Sequence, residues 1–61
     1  MPIIQVNLME GRTVDQKRKV VQEITNAVMK SLDVPADAVR IILREMSKEN
    51  YAIAGKLRID E

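Results

Sequence analysis

Two stretches of this chain place apolar side chains at every second position, and the stretch between them places them at helical spacing. That order limits the fold more than any other feature. From Ile3 to Met9, Ile4, Val6 and Leu8 alternate with Gln5 and Asn7, the period of a half-buried strand. Glu10-Gly11-Arg12 breaks the alternation, with Gly11 as the natural turn residue. Thr13 followed three residues later by Gln16 is a capping box, so a helix begins near Val14. Within it Val20, Ile24, Ala27, Val28 and Leu32 fall on one side, and Lys19, Gln22, Glu23, Asn26 and Lys30 on the other. Asp15 and Lys19 stand in the favourable sense for an i,i+4 pair, an interaction of about 0.2–0.5 kcal/mol.

Asp33-Val34-Pro35 ends the helix, because the proline ring disfavours helical geometry in the residue before it. Ala36 to Ala38 fits one short turn. Val39 to Arg44 then alternates again, setting Val39, Ile41 and Leu43 against Arg40 and Arg44 as a second strand. A helix between two strands leaves room for a right-handed crossover, which makes the strands parallel neighbours in a β-α-β unit. In the tail, a small apolar knot at Tyr51-Ala52-Ile53-Ala54 precedes a breaker at Gly55, the pattern of a short hairpin or extended arm. The expected class is α+β, with residues 1–61 forming a single domain.

A two-stranded parallel sheet carrying one helix leaves one sheet face and both strand edges in water. A chain of 61 residues buries only roughly 60% of the surface its unfolded form exposes, so its core needs support. Disulfides are ruled out by the lack of cysteine, and a zinc or iron site would have to be built from carboxylates because histidine is also missing. Oligomerisation is the remaining route. The simplest closure pairs two protomers edge to edge into a four-stranded sheet with both helices on one side, whose bare faces bury one another in a larger ring. Tyr51 is the sole aromatic residue, so the core is aliphatic. Ten basic residues nearly cancel nine acidic ones, and a net charge of +1 with one stacking residue argues against a nucleic-acid partner. No apolar run approaches a membrane span or signal peptide, so no membrane partner and a cytoplasmic location are expected.

The groups able to do chemistry are carboxylates, lysines, arginines, Tyr51 and the chain terminus. Methionine ahead of a small residue is commonly removed, and its removal would give Pro2 a free secondary amine. An ordinary α-amino group titrates at about 7.7–8.0. An apolar lining from Ile3, Ile4, Tyr51 and Ile53, with positive charge from Arg12 and Arg40, would lower that value and make the amine a general base. The plainer alternative is that Pro2 stiffens the start of an edge strand. Arg12, in a surface turn, is either solvated or placed to meet an anion. Arg40 lies in an otherwise aliphatic strand and needs a partner: Glu45, a carboxylate of a neighbouring subunit, or a ligand. Arg44 shares its face and reads as structural. The methionines read as fillers of core and interface.

Pro2, LMEGRT ending at the cap, the following DQK, SLDVP at the helix end, VRII in the second strand, EM after it and YAIAGK in the tail together resemble the 4-oxalocrotonate tautomerase family. The resemblance runs through essentially the whole chain in order. It implies a tautomerase β-α-β fold assembled as a hexamer, a trimer of dimers. It also implies an isomerase of aromatic hydrocarbon catabolism that converts 2-hydroxymuconate to 2-oxo-3-hexenedioate with no cofactor and no metal. By the same resemblance Pro2 is base and acid, and Arg12 and Arg40, contributed by neighbouring subunits, bind the substrate's carboxylates and keto oxygen as the dienolate forms. Tyr51 falls where the best-known members carry phenylalanine, lining the pocket, and Ala52 and Ala54 fall where glycines are common. At Ile53 some related dehalogenases and hydratases have a glutamate that activates water, so isoleucine there argues for isomerisation of a small enol or keto acid and disfavours the alternative of hydratase or dehalogenase activity in the same pocket. The rival expectation is a non-catalytic oligomeric scaffold or small-ligand binder in which Met1 stays attached and the Pro2 nitrogen remains an amide.

Overall fold

The structure is a computed structural model describing residues 1–61. Strand β1 (Ile3–Met9) leads through a turn into helix α1 (Val14–Leu32), followed by a 3-10 turn at Ala36–Ala38 and strand β2 (Arg40–Met46). A second 3-10 turn at Lys48–Asn50 leads to a hairpin of β3 (Ala52–Ile53) and β4 (Lys56–Leu57), and a third at Arg58–Asp60 ends the chain. Strands β1 and β2 are parallel, in a register running from Ile3 opposite Arg40 to Met9 opposite Met46, and β3 and β4 are antiparallel. This is the expected β-α-β unit with a short C-terminal hairpin.

The capping box forms as anticipated. Thr13 Oγ1 accepts from the Gln16 N–H at 3.1 Å, and Gln16 Oε1 accepts from the Thr13 N–H at 2.9 Å. At the other end Asp33 closes the helix in the left-handed region, with φ of 56°, a conformation that aspartate tolerates better than most side chains. The second strand begins and ends later than the alternation suggested. The Val39 N–H donates back to the Ala36 carbonyl, which closes the 3-10 turn, and the ladder then continues to Met46.

Two local expectations are corrected. Asp15 pairs with Arg18 at 2.6 Å, an i,i+3 contact, and not with Lys19. The helix stripe lying on its own sheet is Lys17, Val21, Ile24, Thr25, Val28 and Met29, all half-buried, whereas Val20, Ala27 and Leu32 of the expected stripe are exposed. A sheet only two strands wide contacts a narrow strip of a helix, so the adjoining apolar strip has no cover within the chain.

No residue is buried, and the chain exposes 4939 Å², against about 4,000 Å² for a compact monomer of its mass. Its radius of gyration is 14.6 Å, where a compact chain of this length reaches about 10–11 Å. Ile3 and Ile42 on the outer sheet face and Ile53, Leu57 and Ile59 in the tail are exposed. A chain whose apolar residues are at best half-buried has little within itself to offset the conformational entropy lost on folding. No helix is long and apolar enough to cross a membrane.

Candidate active site

Pro2 stands just ahead of β1 and is half-buried. Its carbonyl accepts the Arg40 N–H at 3.0 Å, which ties it to the first residue of β2. Met1 lies 80% exposed beside it. Arg40 is exposed, and its guanidinium donates to the Asp37 carbonyl. Its partner within the chain is therefore a backbone oxygen of the preceding 3-10 turn. Glu45, one of the expected partners, lies at the opposite end of β2, where it pairs with Lys17 at 2.5 Å. Parallel pairing brings Pro2 and Arg40 together because the two strands start side by side.

Arg12 and Tyr51 are at the other end of the ladder. Arg12 follows Gly11, whose φ of 113° suits glycine. It lies in the turn from β1 to α1, exposed and without a hydrogen bond to any group of its own chain. Its side chain edges an open cleft of about 560 Å³ between helix and sheet, floored by Val6, Leu8 and Leu43 and walled by Val20 and Ile24. Tyr51 follows the second 3-10 turn and, with Asn7, Leu8, Met9 and Met46, lines a smaller hollow at the carboxyl ends of both strands. Ile53 lies two residues further on, exposed in β3.

Six steps of strand separate Ile3 from Met9, about 20 Å at the usual rise. The expectation that Tyr51 and Ile53 line the Pro2 ring therefore does not hold within one chain, where only Ile3 and Ile4 are its neighbours in sequence. One end of each protomer carries a proline and an arginine, and the other carries an arginine, an aromatic ring and an apolar hollow. Head-to-tail contact between copies can bring the two sets together. Sequence reasoning missed the Lys17–Glu45 pair, whose partners are 28 positions apart and meet only because the β-α-β path stacks the first turn of α1 over the end of β2.

A family model described as tautomerase enzyme matches residues 2–59. The 2-hydroxymuconate tautomerase of Pseudomonas putida is 42% identical over 57 residues, covering 93% of this chain and 90% of that protein. A solved structure of a 4-oxalocrotonate tautomerase isozyme from Methylibium petroleiphilum superposes with a TM-score of 0.94 at 51% identity, covering 97% of this chain and 92% of the other. A heterohexamer 4-oxalocrotonate tautomerase from Chloroflexus aurantiacus superposes with a TM-score of 0.93 at 25% identity, covering 98% of this chain and 97% of the other. The short strand–helix–strand with its C-terminal hairpin is thus a shape shared along nearly the full length of these enzymes, and the chain belongs to the tautomerase family of isomerases.

Proposed function

We propose that residues 1–61 act as one tautomerase domain that, after loss of Met1, ketonises 2-hydroxymuconate-like enol acids as a homohexamer. The Pro2 amine takes the proton of the enol hydroxyl, the conjugated system carries the electron pair to a distant carbon, and the resulting prolinium returns a proton there. For 2-hydroxymuconate the product is 2-oxo-3-hexenedioate, with no net gain or loss of atoms. Arg40 and a neighbouring subunit's Arg12 hold the carboxylates and the oxygen on which negative charge accumulates, while Tyr51 and Ile53, likewise from a neighbouring subunit, wall the pocket. Proton transfer between oxygen and carbon calls for a tuned base together with positive charge where the enolate forms. The reaction needs no cofactor.

The observation that carries this reading is the hydrogen bond from the Arg40 N–H to the Pro2 carbonyl, which fixes the proline beside a strand that starts with a cation. Met1, largely in solvent, can leave without disturbing that contact. The test is intact-mass measurement followed by ketonisation assays. A protein lacking Met1 that rapidly ketonises 2-hydroxymuconate or phenylenolpyruvate is expected. A protein lacking Met1 that turns over neither overturns the reading. The rival reading is a scaffold or small-ligand binder of the same fold in which Met1 stays attached and the Pro2 nitrogen remains an amide. Retention of Met1 on protein isolated from its native cell would select it.

A further inference from the structure

Arg12 makes no hydrogen bond within its chain and follows a glycine in a conformation that suits glycine, so its own side chain does not fix where its charge sits. Its position is set by what anchors the turn. On one side the Glu10 N–H donates to the Met46 carbonyl at 2.9 Å. On the other, the capping box ties Thr13 to Gln16, and the Lys17 N–H donates to the Thr13 carbonyl at 3.0 Å. The first turn of α1 is itself attached to the sheet by one polar contact, Lys17 Nζ to Glu45 Oε1 at 2.5 Å, with the side chains 26% and 39% exposed. The other two ion pairs join residues three apart and link no elements. Glu45 stands opposite Leu8 in the ladder, immediately below the Arg12 turn, and Lys17 shares the cleft with Arg12.

We infer that Lys17 and Glu45 form a clamp that positions Arg12 for its anionic substrate, by holding the first turn of the helix against the end of β2. The clamp touches no substrate, so both members are positioning residues. This inference rests on the role proposed above for Arg12. A freely exposed ion pair would contribute little. This one is partly shielded and charge-assisted, and it spans two elements whose relative placement decides where a guanidinium meets a carboxylate. Displacing a binding group by about 1 Å can cost up to roughly 100-fold in rate.

The test measures Lys17→Met and Glu45→Gln beside wild type, Lys17→Arg and the control Lys30→Met, with 2-hydroxymuconate as substrate and sedimentation to establish assembly. Lys17→Met is expected to raise KM about five- to tenfold with kcat within about twofold. Lys17→Arg is expected to restore KM, and Lys30→Met to leave both constants unchanged. Amide hydrogen exchange at Glu10 and Thr13 should quicken about tenfold in Lys17→Met and stay at the wild-type rate in Lys17→Arg. If Lys17→Met does not assemble, Glu45→Gln, which removes a charge and hardly any bulk, answers the same question. Unchanged KM in assembled variants, or a fall in kcat with no change in KM, overturns the clamp. The role of Arg12 is judged separately, from wild type against Arg12→Ala.

Discussion

Pro2 is held by its carbonyl, which accepts the Arg40 N–H, and on the proposed reading its nitrogen is left for chemistry once Met1 is gone. Pro2→Ala keeps an amine at the chain start but loses the secondary ring nitrogen and its fixed φ. It is expected to lower kcat about 100-fold or more, within the usual range for a general base, in steady-state assays on 2-hydroxymuconate. Arg44→Ala, on the same strand as Arg40, should change kcat by less than about threefold. Because the amine must be unprotonated to accept the enol proton, kcat/KM should rise with pH through its titration. A pH–rate profile with no ascending limb would contradict that role.

Within the elements, the hairpin turn carries an avoidable strain. Ala54 and Gly55 both have positive φ, 54° and 81°, the pattern of a type I′ turn, in which asparagine followed by glycine is the favoured pair. Ala54→Asn is therefore expected to stabilise the protein by about 0.5–1 kcal/mol, read as a higher denaturation midpoint at fixed protein concentration. Thr13→Ala should destabilise it by about 1 kcal/mol, because the hydroxyl that accepts the Gln16 N–H is lost, while the backbone N–H of residue 13 can still donate to Gln16 Oε1. These elements also show where the sequence is informative. The capping box, the stop at Asp33 and both alternating strands are encoded by residues within a few positions of one another, so they were legible. The partners of Glu45 and Arg40 were not. Each is chosen by which elements stack, and Arg40 found a carbonyl three residues back while Glu45 found the helix. The stripe of α1 facing the sheet was misjudged because its apolar residues cover more of the helix surface than two strands can contact. For the site, Pro2, Arg12, Arg40, Tyr51 and Ile53 could be chosen as candidates by chemistry and resemblance, but their separation to opposite ends of the ladder follows from parallel pairing alone.

At the scale of the molecule, a chain with no buried residue, an outer sheet face carrying Ile3 and Ile42 and a second apolar strip on its helix is built to associate. Sedimentation at micromolar concentration should find no folded monomer, and the thermal midpoint should rise with protein concentration. Ile42→Asp, which puts an unpaired charge on the outer face, is expected to abolish assembly and activity together. The two-ended distribution of functional groups has one more consequence. A hybrid made from Pro2→Ala and Arg12→Ala subunits, each inactive by itself, contains some pockets in which an intact base from one parent faces an intact cation from the other. Unfolding and refolding an equal mixture should then recover about one quarter of wild-type turnover by random association, whereas blending the preassembled variants without exchange should recover none.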